Sequence, residues 1–244
     1  MGRPHIPRRM ALAAPLLVLS GTGVQATDEH YPMQCDPSLV AALRAASALF
    51  LRRTGINVHI LPTSPGLLVA LLTHEVQHDL LMSQTAIVER TTAAGFASPQ
   101  GPKQRFAGRL VLATLADAPP ATLATALSSG TVAITDPRPG ASRDDLAVLA
   151  AIGLTPAKVV GALDSTEVAF LVATGAAGAG LMLLSDVRSN PALKIARDIE
   201  GASVSYVAAT TRTPRRPGAE AFVTFLGGED GADIMRHFGL ETVA

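Results

Sequence analysis

Two hydrophobic rhythms alternate along the chain. Short, nearly continuous apolar runs read as buried strands, and they are separated by stretches in which apolar residues return every three or four positions, the spacing of a helix packed on one face. Strands are predicted at "INVHIL" (56–61), "DLLMS" (79–83), "RLVLAT" (109–114), "TVAIT" (131–135), "AGLMLLS" (179–185) and "VSYVAA" (204–209). Helices are predicted over 37–53, 64–74, 85–96, 120–129, 142–154, 168–175 and 218–240. The alternation predicts an α/β fold, a sheet covered by helices.

Helix punctuation supports these assignments. Asp36 precedes Pro37 as an N-cap, Arg52 and Arg53 fall in the last turn, and Gly55 follows as a terminator. Ser64 and Pro65 repeat the cap-then-proline pattern. Ser142 with Asp145, and Asp164 with Glu167, have the spacing of capping boxes. No repeat is visible, and "TRTPRRPG" (211–218) reads as a surface loop.

The first residues follow neither rhythm. Arg3, Arg8 and Arg9 precede the apolar "MALAAPLLVL", and small residues end the segment at "VQA" (24–26), so residues 1–26 are expected to be a signal peptide whose apolar run is too short to span a bilayer. Composition fits export of a folded domain. Of 244 residues 48% are hydrophobic, which is ample for a core. The single cysteine, Cys35, forbids an internal disulfide, as suits a bacterial periplasm. Without residues 1–26 the chain carries 17 basic and 20 acidic side chains, a balance that favours neither nucleic acid nor an acidic membrane surface.

One stretch spells a catalytic motif. His74-Glu75-Val76-Gln77-His78 is an H-E-x-x-H pattern, which on a helix sets two imidazoles on one face beside a general base and holds zinc. Here it falls between the predicted end of one helix and the start of the strand at 79, and position 81 is Leu where the extended pattern has glycine. A zinc hydrolase is therefore the remote alternative, and a polar helix-to-strand turn the expectation. "GAAGAG" (175–180) ends a helix and precedes a strand, the reverse of a dinucleotide fingerprint. No G-x-S-x-G elbow, C-x-x-C pair or P-loop occurs, and no cofactor is implied. Cys35 is expected to be inert.

Four helix starts carry small polar residues: Asp36-Pro37-Ser38, Ser64-Pro65-Gly66, Gly140-Ala141-Ser142 and Asp164-Ser165-Thr166. In open α/β sheets the carboxyl ends of strands are where ligands bind, and free N–H groups at helix starts suit an anion.

The ordered series of segments resembles the periplasmic molybdate-binding proteins, solute receptors of ABC importers. "PSLVAALRAASALFLRRTGINV" is similar to the family's A-S-L-x-x-A-L helix with the T-G-x-x-V strand after it. "TSPGLLVALL" resembles its S-S-G-x-L-A-x-x-I segment, and "HDLLMSQTAIVERTTAAGF" its A-D-V-F-I-S-A strand and following helix. "FAGRLVLAT", "VAITDP", "LAAIGL", "VATGAAGAGLMLLSDV" and "PGAEAFVTFLGGEDGADIMRHFGL" continue the series in order.

The resemblance implies a two-lobed type II periplasmic-binding-protein fold, each lobe a mainly parallel sheet flanked by helices, joined by a two-strand hinge near 107–110 and 206–210. One lobe would comprise 27–108 and 208–244, the other 109–207. It further implies a monomeric, non-catalytic receptor that delivers a small oxyanion to the membrane subunits of an importer. Ser38 matches the first ligand serine, Ser64 lies beside the second, whose own position holds Pro65, and Ala141 and Ser165 match backbone N–H donors. Leu183 stands at the ligand tyrosine, so the same fold holding a different small ligand, or serving as a non-transport accessory, is the alternative.

Overall fold

The computed structural model describes residues 30–73, 78–98, 101–136, 144–211 and 216–243. The expected signal peptide lies outside them. β1 (His30–Cys35) leads through a 3-10 turn (Pro37–Leu39) into α1 (Val40–Thr54), followed by β2 (Asn57–Pro62), α2 (Pro65–Thr73), β3 (Leu80–Gln84) and α3 (Thr85–Ala93). The long β4 (Lys103–Leu115) opens a second series: α4 (Thr122–Ser128), β5 (Val132–Thr135), α5 (Asp145–Ala151), β6 (Val159–Ala162), α6 (Ser165–Ala173), β7 (Ala179–Leu183) and α7 (Leu184–Ser189). The longer β8 (Leu193–Thr210) then runs back, and α8 (Pro217–Gly227), α9 (Glu229–His237) and β9 (Leu240–Val243) close the chain.

The strands form one sheet in the order β2-β1-β3-β8-β4-β7-β5-β6, with β9 on the first part of β4. Its two ends are parallel, β1 with β2 and β3, and β5 with β6 and β7, while β8 pairs antiparallel with β3 and β4, and β4 antiparallel with β7. Parallel strands covered on both faces read as continuous apolar runs, which is why "LLM" and "VAI" stand out in the sequence. This two-lobed α/β architecture agrees with the expected fold class.

The centre of the sheet is what the apolar pattern missed. β4 extends six residues before the predicted start and β8 eleven before, because "KQRFAG" and "LKIARDIEGAS" are too polar to read as buried strands. Their strand character comes from pairing with each other. The ladder runs from Lys103 opposite Ala209 to Arg109 opposite Ser203, slips, and resumes with Val111 opposite Asp198. Gly201, at φ 73°, lies inside the slip on β8, where a side chain would strain the left-handed backbone.

Local details follow the predicted punctuation closely in α1. Asp36 accepts the Ser38 N–H at 3.1 Å, Gly55 closes the helix at φ 74°, and Ala42, Leu43, Ala46 and Phe50 form the buried stripe. Phe50 meets Phe222 of α8 at 5.2 Å between ring centroids, which locks the carboxyl-terminal helices onto α1. At α5 the structure corrects the expectation: Asp144 is the cap, accepting from Ala147 N–H, while Asp145 turns into the core and accepts the Thr135 N–H at 2.8 Å. Ser142, the other half of the predicted box, lies outside the described residues. The predicted strand at 179–185 ends at Leu183, and its last two residues begin α7.

Candidate functional site

β1 and β2 end side by side: Cys35 pairs with Pro62, and Thr63 N–H donates to the Cys35 carbonyl at 2.7 Å. The Asp36 N–H donates to the Met82 carbonyl of β3. Three parallel strands thus bring Ser38, Ser64 and Ser83 to one end of the sheet. Ser38 is buried, and its backbone N–H is spent on the Asp36 cap, so the hydroxyl is what it offers. Ser64 is half-buried, and its carbonyl starts α2 by accepting from Leu68 N–H. The Ser83 and Thr85 hydroxyl oxygens are buried with no hydrogen-bond partner among the described residues, a condition that native proteins seldom leave unmet without a ligand or water.

The second half contributes the start of α6. Asp164 caps it by accepting the Glu167 N–H at 2.9 Å, as the D-S-T-E spacing predicted, while the Glu167 carboxylate reaches back one residue further than a capping box requires and accepts the Leu163 N–H. Among the described residues the Ser165 and Thr166 N–H groups, in the first turn of the helix, have no hydrogen-bond partner. The Ser165 hydroxyl is turned inward: it donates to Asp186 Oδ2 at 2.6 Å and accepts the Leu183 N–H at 2.8 Å. Thr166 donates to Asp186 Oδ1 at 3.0 Å.

The two helix starts touch. Ser38 Oγ lies 3.2 Å from Thr166 Oγ1, across 128 positions of sequence. Behind this contact sits Asp186, 5% exposed, on the first turn of α7. Burial pushes its carboxyl up to about 6, while the Ser165, Thr166 and Ser38 hydroxyls pull the other way and the Asp164 charge adds to the rise. Asp186 forms no ion pair among the described residues. An uncompensated buried carboxylate is costly, and here three hydroxyls take the place of a cation.

Of the expected site residues, Ser38 and Ser165 are brought together through Thr166, and Ser64 lies at the same end of the sheet as Ser38. Ala141 lies outside the described residues. Leu183 packs inward: its side chain and the Tyr206 ring both lie against Gly108, where an added Cβ would come within 2.9 Å and 3.1 Å of them. It therefore supplies a backbone N–H to Ser165 and no side-chain ligand. Thr166 was named only as part of the helix start Asp164-Ser165-Thr166, with no role of its own, and Asp186 was not singled out from the sequence. The available signal for Asp186 was a lone acid one residue beyond the apolar run "AGLMLL", after Ser185.

The remaining candidate chemistry leads elsewhere. His74–Gln77 of the H-E-x-x-H pattern lie outside the described residues, and His78 is buried just before β3, with its carbonyl accepting from the Thr211 hydroxyl at 2.6 Å. Among the described residues no three His, Cys, Asp or Glu side chains cluster as metal ligands. Cys35 is fully buried, and burial, with Asp36 beside it, holds its thiol far above the ordinary range and so unreactive. No helix among the described residues is long and apolar enough to cross a membrane.

Comparison with known proteins converges on this architecture. No curated protein matches the chain by sequence. Among solved structures, the periplasmic molybdate-binding protein of Azotobacter vinelandii superposes with a TM-score of 0.70 at 21% identity, covering 88% of this chain and 99% of that one. The tungstate ABC transporter structure from Geobacter sulfurreducens gives 0.66 at 16% identity, covering 86% and 99%. L-phospholactate-bound PEB3, a Campylobacter jejuni protein, gives 0.66 at 14%, again covering 86% and 99%. At these identities the likeness establishes the fold alone. The sequence pattern of one family, bacterial extracellular solute-binding protein, matches residues 33–241. Since that match covers most of the sequence, the chain belongs to the bacterial extracellular solute-binding proteins.

Proposed function

We propose that the protein is a periplasmic receptor that captures a small oxyanion of the molybdate or tungstate type between its two halves and delivers it to an ABC importer, without catalysing a reaction. The observation that carries this reading is the Ser38–Thr166 contact, which joins the helix start after β1 to the start of α6. The groups gathered there are hydroxyls and free N–H groups at strand ends, suited to an anion without any Lys or Arg. The fold neighbours whose titles name molybdate and tungstate support the ligand class.

On this reading the halves divide along the β4–β8 ladder, with 27–108 and 208–244 in one and 109–207 in the other. The hinge is read near 107–110 and 206–210, and the register of the ladder slips next to the first of these, past Arg109 on β4. A ligand that touches both helix starts would favour the closed arrangement, the usual logic of two-lobed receptors. Signal-peptide cleavage near Ala26 and a monomeric state belong to the same proposal. Calorimetric titration with molybdate, tungstate and sulfate tests it: binding of one of them at one site per chain is expected, and no heat from any of the three rejects the oxyanion ligand.

A second reading keeps the fold and changes the ligand. Leu183 offers no hydroxyl and Asp186 puts a carboxylate behind the hydroxyl cluster, and the PEB3 structure named for L-phospholactate indicates that an organic ligand is compatible with this architecture. Native mass spectrometry showing a co-purified organic molecule would favour it.

A further inference from the structure

Resting on the oxyanion reading, we infer that Asp186 is the specificity-determining residue of the cleft: it sets the direction of the hydroxyl hydrogen bonds, so that an oxyanion binds only together with a proton. The argument is a count of protons. A hydroxyl has one to give. An ionised Asp186 accepts only, so the Ser165 proton goes to Oδ2 and the Thr166 proton to Oδ1. Thr166, with its proton spent, meets Ser38 only as an acceptor, and the Ser38 hydroxyl is also among the hydrogen-bonding partners of the carboxylate, so the third proton too is drawn inward. In this state the three hydroxyls at the junction present lone pairs to a newcomer. An oxyanion brings only lone pairs of its own, and it also meets a like charge a single side chain away.

Protonation of Asp186 reverses the chain. The carboxylic acid donates to one of its two hydroxyl partners, which frees that partner's own proton. If Thr166 is freed, its O–H turns outward, and Ser38 no longer needs to donate inward. Two hydroxyl donors then face the cleft beside the free Ser165 and Thr166 N–H groups, and the carboxylate charge is gone. The proton that enters comes from solvent and leaves again with the ligand.

The surroundings leave Asp186 free to do this. Asp164 is the charged group acting on it, and it favours the proton. Asp36 and Glu167, from the 3-10 turn and α6, accept backbone N–H groups. The cations on neighbouring elements are occupied elsewhere: Arg109 of β4 with Asp198 of β8, Arg53 of α1 with Asp230, Lys194 of β8 with the Ala118 carbonyl, and Arg188 of α7 with the Arg236 carbonyl. β7 carries no charge, and Lys103, Arg105, Arg44, Arg52, Arg197 and Glu200 make no ion pair with Asp186. With its carboxyl at about 6, Asp186 is mostly ionised at neutral pH and within easy reach of protonation.

Titration calorimetry of the purified chain with sodium molybdate, kept at micromolar concentration, tests the coupling at pH 8, 7 and 6 in two buffers of different ionisation heat. Sulfate serves as a second probe because it does not titrate in this range. The expected result is affinity that tightens about ninefold from pH 8 to 7 and about fivefold from pH 7 to 6, with uptake of nearly one proton per anion at pH 8 falling to about half a proton at pH 6, where the carboxyl is already half-protonated, the signature of one linked site. Asp186→Asn, whose amide can donate as the acid would, should bind at pH 8 with the affinity that the unaltered chain reaches near pH 6, and should take up no proton. Anion binding by the unaltered chain with pH-independent affinity and no proton uptake overturns the inference and leaves the oxyanion reading standing, even if the variant does not fold. No heat from molybdate, tungstate or sulfate at any pH, from either protein, overturns both.

Discussion

The starts of α1 and α6 are written almost alike, Asp-Pro-Ser and Asp-Ser-Thr, and they face each other, yet they present different chemistry. At the first, the aspartate cap takes the N–H of the serine itself, and the serine hydroxyl is left to reach across to Thr166. At the second, the cap takes the N–H of Glu167 one turn in, so two N–H groups stay free while the serine hydroxyl is drawn inward to a carboxylate. Which N–H a cap consumes decides what a helix start can still offer a ligand. The side whose serine hydroxyl reaches across to Thr166 presents a hydroxyl, and the side whose serine is bound to Asp186 presents backbone.

The largest way to break this asymmetry is to remove the acid. Asp186 titrates near 6 in the folded protein against an ordinary 3.8, so its raised value favours the protonated folded form. The associated stability is present in full below about 3.8 and is lost as pH rises to about 6. The difference in unfolding free energy between the unaltered chain and Asp186→Asn should therefore shift by about 3 kcal/mol across that window, measured by urea denaturation at pH 3.5, 5 and 7. A flat difference would mean that the carboxyl is not effectively buried.

A smaller effect separates the two hydroxyls at the junction. Thr166 both donates to Asp186 and accepts from Ser38, whereas Ser38 has the single contact at Thr166 with Asp186 nearby. Thr166→Val should cost about 2 kcal/mol by leaving the buried carboxylate short of a donor, and Ser38→Ala about 1 kcal/mol. Equal losses in chemical denaturation would count against the relay. Smallest is the effect of the caps. Asp36→Ala and Asp164→Ala should each lower stability by about 1 kcal/mol, and only the Asp164 variant should also lower the pH at which Asp186 takes up its proton, because Asp164 is the charge that raises it. Carboxyl chemical shifts followed through the titration would show the difference.

The sequence carried the periphery of the fold better than its middle. The parallel strands and α1 were legible because burial on both faces or on one stripe leaves a periodic apolar record. The polar stretches of β4 and β8 become strands by pairing with each other and, for β4, with β9, which no local window contains. The site divides the same way. Ser38 and Ser165 could be read from helix punctuation, and the ordered family-like segments pointed to both. Thr166 and Asp186 acquire their meaning from a tertiary contact between α6, α7 and the 3-10 turn, and nothing local distinguishes Asp186 from other acids that begin a helix. The H-E-x-x-H pattern shows the converse. It is conspicuous in the sequence, yet its last residue lies buried at the entry to β3, with its backbone carbonyl bound to Thr211.

The central ladder also sets a timetable. Residues 109–203 form a continuous stretch whose two ends lie opposite each other, Arg109 across from Ser203. β3 at 80–84, paired with β1 on one side, obtains its second neighbour only when residues 206–210 arrive. Until they do, an apolar strand edge stands open. The pairing that the chain begins first is completed last.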